Sequence, residues 1–328
     1  MRQKKTLVAL AAVLVVLAAL TWLLRSCNAK EERRQQEEQQ NLADTRVLET
    51  EEDQTYSAIS YDNGQVNLSF ARDEAGEWYW VDDPDFPLNG YYLESLSKQV
   101  IALHPMQTIT EGDTLEAYGL EEPAASLKAT ADGGKETVLL FGKTTSDGSY
   151  YMKLADSDTV YVVSSELRES MNKGIYDMAE IPDIPTFTGA NLRTVRVKGP
   201  TQDLTLSVEA GEEDGAASWI FGDADVTDHE TVSALADELA SLRFTACVDY
   251  RPTDEAVTLC GLGSPQVTMT VYYVPDGSAE TTFKMSVGNA TADGEGYYAR
   301  MEGDTTIYSV AKDSVETLLA LAAGGLTA

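Results

Sequence analysis

Gly119-Leu120-Glu121-Glu122-Pro123 and Gly261-Leu262-Gly263-Ser264-Pro265 stand 142 positions apart in a chain of 328 residues. Around them other short matches recur in the same order. Trp80 recurs as Trp219, Asp147-Gly148 before Tyr150-Tyr151 as Asp293-Gly294 before Tyr297-Tyr298, and Val160-Tyr161 as Ile307-Tyr308, with offsets between 139 and 147. Hydrophobic periodicity repeats with the letters. Leu93, Leu96, Val100 and Leu103 form the stripe of an amphipathic helix, and Val232, Leu235, Leu239 and Leu242 repeat it 139 positions on. Asn89 and Asp228 precede these helices as expected N-caps. Val66, Leu68 and Phe70 alternate with polar residues in register with Leu204, Leu206 and Val208. The same holds for Ala125, Leu127 and Ala129 against Val267, Met269 and Val271, and for Leu139 and Phe141 against Met285 and Val287. A slip of one residue would turn every such face outward, so shared parity argues for duplication.

Each copy reads as two or three strands ending at the Trp, one main helix, the Gly-Leu-x-x-Pro turn, four strands and a short closing helix. Asp132-Gly133-Gly134 and Pro275-Asp276-Gly277 read as hairpin turns. Links this short cannot make parallel crossovers, which predicts an α+β fold of mostly antiparallel sheet. Residues 55–176 form the first unit and 192–323 the second, with 177–191, containing Ile181-Pro182-Asp183-Ile184-Pro185, as a stiff connector and 324–328 as a tail.

Ahead of the repeats, Thr6–Leu24 is a run of 19 residues without a charge, enough helix for a hydrocarbon core of about 30 Å. Arg2, Lys4 and Lys5 precede it, and Trp22 and Arg25 follow. Residues 1–27 therefore read as a single transmembrane anchor with the N-terminus cytoplasmic and the body extracytoplasmic. Leu24-Arg25-Ser26-Cys27 offers the alternative of a lipoprotein with a lipidated Cys27, although Arg25 fits that cleavage box poorly. Residues 28–54, rich in Glu, Gln and Arg, read as a polar stalk.

Composition narrows the function. The chain holds 24 Lys+Arg against 54 Asp+Glu, a net charge of −30, and 43 % hydrophobic residues. Beyond Arg46 the balance is 16 basic against 49 acidic. Such a body has no basic face for general nucleic-acid binding, so the expected partner of the chain is the membrane and not a nucleic acid.

Tyr118–Pro123 (Tyr-Gly-Leu-x-x-Pro), Gly142 closing a strand, Asp-Gly before Tyr-Tyr and Val-Tyr after it resemble the bacterial "domain of unknown function 4340" family. The resemblance covers both units from about Thr55, departing at Cys260, where the pattern has Tyr. It implies a membrane-anchored envelope protein found alongside gliding-type ABC transport components, and no established activity. On that pattern the repeat motif consists of Trp80, Gly119, Leu120, Pro123, Gly142, Tyr151 and Tyr161, with Trp219, Gly261, Leu262, Pro265, Gly288, Tyr298 and Tyr308 in the second unit.

No catalytic constellation emerges, so no catalytic residue, cofactor or metal ligand is assigned. Gly142-Lys143-Thr144 mimics the end of a phosphate-binding loop, but Thr137 stands where that loop needs Gly. Asp223, Asp225 and Asp228 lack the turn Gly and terminal Glu of a calcium loop. With only two His in the chain, His104 and His229 read as surface or helix-end residues. Cys247 and Cys260 would be free to bridge in an oxidising envelope, or to stay as small hydrophobes. Trp80 reads as core; Trp78, aligned with Ala217, reads first as ordinary packing, with a ligand surface as the alternative. The expectation is an interaction module accessory to ABC transporter subunits. The alternatives are a binder of glycan, peptide or cation in a cleft between the repeats and, last, a carboxylate-dependent hydrolase.

Overall fold

The computed structural model describes residues 46–48, 54–110, 112–211, 217–275 and 278–326. The anchor, most of the stalk, Cys27 and the Asp276-Gly277 step lie outside the described residues. No helix among the described residues is long and apolar enough to cross a membrane.

The first repeat runs β1 (Tyr56–Asp62), β2 (Asn67–Arg72), β3 (Trp78–Trp80), α1 (Tyr91–Ile101), β4 (Gln107–Ile109), α2 (Leu115–Tyr118), β5 (Ala125–Ala131), β6 (Glu136–Thr144), β7 (Tyr150–Leu154), β8 (Val160–Val163) and α3 (Glu166–Ser170). The second runs β9 (Leu192–Lys198), β10 (Asp203–Ala210), β11 (Ala217–Phe221), β12 (Ala224–Asp225), α4 (Glu230–Ser241), β13 (Phe244–Asp249), α5 (Asp254–Leu259), β14 (Val267–Tyr273), β15 (Thr281–Ala290), β16 (Gly296–Met301), β17 (Ile307–Ala311) and α6 (Glu316–Gly324).

Two antiparallel sheets result, ordered β3-β2-β1-β5-β6-β7-β8-β4 and β12-β11-β10-β9-β14-β15-β16-β17-β13. Apart from the added β12, the second order is the first with each strand replaced by its counterpart. The α+β, tandem-repeat expectation therefore holds at the level of topology. The structure adds β4 and β13, each pairing along the last strand of its meander, and a one-to-two-turn helix before each Gly-Leu turn.

Burial follows the expected periods. Leu93, Leu96, Val100 and Leu103, and Val232, Leu235, Leu239 and Leu242, are all buried, as are the inward residues of β5, β6, β14 and β15. Asn89 caps α1 by accepting from the Tyr91 N–H at 3.1 Å. The cap of α4 is His229 and not Asp228, because the His229 ring accepts from the Thr231 N–H at 3.2 Å. That corrects the N-cap expectation by one residue. α6 lacks a side-chain cap of its own. The buried carboxylate of Glu238 on α4 serves it, accepting from the Thr317 and Leu318 amides at 2.7 and 3.3 Å.

Repeat and compact unit divide the chain differently. One unit takes the described residues up to Ser69 with Leu93–Asn172, and the other takes Phe70–Tyr92 with the described residues from Lys173 onward. Within the second unit, Phe86 is buried in the core with Val195, Leu235 and Met285. Its ring lies 5.6 Å from that of Trp80 and 5.3 Å from that of Tyr250. The Asn89 amide donates to Met178 O at 2.8 Å and the Glu180 amide to Pro87 O at 2.7 Å. The Tyr250 hydroxyl donates to Asp85 O at 2.7 Å, and Arg251 pairs with Asp83 at 2.8 Å. The Ile181–Pro185 connector is not a free spacer either, since Ile181 and Ile184 pack on the same core and Phe187 is buried in it.

Candidate functional site

The repeat-motif residues build a joint that occurs twice. Gly119 and Gly261 turn the chain with φ of 71° and 72°, a region open to Gly and costly for other residues. Leu120 and Leu262 then drop into the core, while Pro123 and Pro265 stay partly exposed at the entry to β5 and β14. Gly142 and Gly288 lie against the end of the short helix. A Cβ on Gly142 would sit 2.2 Å from Tyr118 O, and one on Gly288 2.1 Å from Cys260 O. The next residue caps the helix in both copies. Lys143 Nζ donates to Glu116 O and Ala117 O, and the Asn289 side chain donates to Leu259 O. The Gly-Lys-Thr run is thus a helix C-cap. Thr145 and Thr291 each donate from Oγ1 to the aspartate two residues on, Asp147 and Asp293, which holds both carboxyls below their usual range.

The copies differ at the aromatic positions. The Tyr118 ring packs 4.7 Å from that of Tyr151. Cys260 stands at the position equivalent to Tyr118, so that ring pair belongs to the first copy. Tyr161 is only partly buried, whereas Tyr308 is buried, stacks 4.5 Å from Phe244 and donates to Asp304 at 2.8 Å. Trp219 is core and Trp80 packs against the same cluster. Trp78 follows the packing reading. It is 7 % exposed, its ring is covered by the Arg72 guanidinium at 4.6 Å, and Gly90 backs it closely.

Cys247 and Cys260 are free thiols, so the bridge weighed for them is not formed. Cys247 points into the core from β13, opposite Tyr308, while Cys260 ends α5 partly exposed. Burial, with Asp249 and Asp304 nearby, pushes the Cys247 thiol up to about 11. Burial and Asp249 also raise Cys260. A thiol reacts as its thiolate and needs access. Iodoacetamide at pH 8 is therefore expected to modify Cys260 ahead of Cys247 by about tenfold or more, read by peptide mass spectrometry. Equal rates would mean that β13 opens as readily as the surface helix.

The concavity with the most chemistry lies on the outer face of the second sheet. It measures about 780 Å³ and is lined by β9, β14 and β15 with Glu302 just past the end of β16. Strand register explains its composition, because paired residues share a face. One row runs Lys198, Thr268, Ser286, Arg300, and a second runs Arg196, Thr270, Lys284. Arg196 is held by Asp203 through two bonds of 2.8 and 2.6 Å, which lowers the Asp203 carboxyl. Lys284 pairs with Glu302 at 2.5 Å. Lys198 stands opposite Asp203 in the register and adds to the lowering of its carboxyl without an ion pair of its own, and Arg300 makes no ion pair among the described residues. Sequence reasoning missed this site, whose rows draw on strands far apart in the chain. Among the described residues, no three His, Cys, Asp or Glu side chains come together as a metal site would require.

Duplicated sheets with matching strand order, each repeat carrying one main helix with a buried apolar face, define a tandem α+β scaffold. The family model for the domain of unknown function DUF4340 matches residues 78–248 and 222–323, and the chain belongs to that family. Nothing matches it among curated proteins or solved structures.

Proposed function

We propose that the protein is a membrane-anchored interaction module of the bacterial envelope, accessory to an ABC-type transport complex. In this reading Thr6–Leu24 holds it in the membrane and both repeats lie outside the cytoplasm. One observation carries the module reading: the copies share their framework while their outer faces differ. Where the second sheet places Arg196, Lys198 and Lys284, register places Ser60, Asp62 and Val138 in the first. Packing needs the same inward residues from both copies and makes no demand on the outward ones. A face that departs from its twin is therefore the natural working surface. The link to a transporter rests on the family resemblance.

Affinity purification of the tagged full-length protein from membranes in mild detergent is expected to recover transporter subunits with it. Recovery of the protein alone overturns the transporter assignment.

A further inference from the structure

We propose that the outer face of the second sheet binds a hydroxyl-bearing polyanion, a chain of sugar or polyol units carrying regularly spaced carboxylate or phosphate groups. The proposal rests on the same reading of that face as the working surface and adds what the face holds.

Neighbouring strands lie about 4.8 Å apart, so Arg196 and Lys284 start about 10 Å apart across Thr270, and Lys198 and Arg300 about 14 Å apart across Thr268 and Ser286. The two rows are separated by two residues, about 7 Å. Arg196, Lys198 and Lys284 thus flank a floor of hydroxyls in the concavity, with Arg300 one strand beyond in the same row, instead of converging on one point. A single small anion would engage one cation at a time, while a ligand with charges at intervals and hydroxyls between them engages the whole frame. Thr and Ser side chains both donate and accept hydrogen bonds, which matches the hydroxyls of a sugar or polyol.

Charge complementarity points the same way. In a chain of net charge −30, these four cations share a face with only Asp203 and Glu302 as their ion-pair partners. Lys198, which shares the Asp203 carboxylate with Arg196, and Arg300 make no ion pair of their own among the described residues, and Arg fits carboxylate or phosphate geometry in two-pronged fashion. An acidic peptide adding as a strand is disfavoured, because β14 is already paired on both sides by β9 and β15 and offers no open edge. Single-stranded nucleic acid would want aromatic platforms, and Tyr272 is the sole ring lining the concavity. The first copy serves as an internal comparison. Its equivalent positions hold Ser60, Asp62 and Val138, with Lys153 matching Arg300 and Lys128, paired to Glu136, standing where the second copy has Thr270.

The test uses the full-length protein in nanodiscs of zwitterionic lipid and four polymers of similar length: polygalacturonate, poly(glycerol phosphate), neutral dextran and poly-glutamate. Isothermal titration calorimetry is expected to show binding to polygalacturonate, poly(glycerol phosphate) or both, weakening as salt is raised. The tighter of the two identifies the anionic group. The double variant Lys198→Glu with Arg300→Glu is expected to lose about tenfold or more in affinity. Lys135→Glu with Arg243→Glu, an equal charge change elsewhere, is expected to bind as the unaltered chain does. Both variants alter side chains outside the core, and circular dichroism confirms their folding.

Dextran or poly-glutamate binding as tightly as the hydroxylated polyanions overturns the proposal. So does inorganic phosphate competing at equal anion concentration, an unchanged double variant, or no binding of either polyanion at millimolar repeat units. Transporter subunits recovered with the double variant would leave the module reading standing whatever the polymers do.

Discussion

Gly288→Ala is expected to lower the stability of the second repeat by about 3 kcal/mol, read as a shift of the urea midpoint followed by tryptophan fluorescence. The cost is steric. The added Cβ would lie 2.1 Å from Cys260 O and 3.1 Å from the Gly261 carbonyl carbon. Both obstacles are backbone, fixed by the Asn289 amide donating to that same Cys260 oxygen at 2.8 Å. Neither can swing away as a side chain would. Gly142→Ala is expected to act likewise in the first repeat, where the obstacle is Tyr118 O at 2.2 Å. Gly133→Ala is the comparison. Gly133 has no positive φ and nothing within 4 Å of an added Cβ, so its effect should stay within about 0.5 kcal/mol. If Gly288→Ala proved as mild as Gly133→Ala, the close approach of strand and helix end would be wrong.

Phe86→Ala is expected to cost about 3–5 kcal/mol and to loosen the segment around it. Phe86 is 4 % exposed and its ring is bracketed by Trp80, Tyr250 and Tyr176 at 5.6, 5.3 and 6.1 Å. Removing it opens a cavity lined by rigid rings that cannot collapse inward. Hydrogen exchange at the Asn89 and Glu180 amides reports the consequence, because those amides bond Met178 O and Pro87 O. Arg251→Ala should be mild by contrast, about 1 kcal/mol or less, since its side chain is 55 % exposed in its pairs with Asp83 and Asp85. Equal effects from the two variants would mean that charge and not packing fastens this segment.

Periodicity made the scaffold readable. Leu93 to Leu103 and Val267 to Val271 are patterned by burial on one face, and burial is what sequence period records. β4 escaped because three partly or fully exposed residues, Gln107–Ile109, carry no alternation. β13 escaped because its register shifts twice against β17, which breaks the period of two. Trp78 stayed open between packing and surface because its cover comes from Arg72 on the neighbouring strand and from Gly90, which no local pattern announces. The basic frame was invisible for a related reason. Lys198, Thr268, Ser286 and Arg300 are each unremarkable outward residues, and only sheet register sets them in one row.

The placement of Phe70–Tyr92 also sets an order of events during synthesis. Trp80 and Phe86 leave the ribosome long before β14 to β17 exist, yet those strands supply part of the core that receives them. At about 5–20 residues per second, an apolar segment near residue 86 waits on the order of ten seconds or more for its pocket. For a chain read as crossing a membrane while unfolded, that interval is a window in which a holdase would have something to hold. A chain halted between the repeats would never close the window, so truncation after the first copy should yield a sticky product and not half of a working protein.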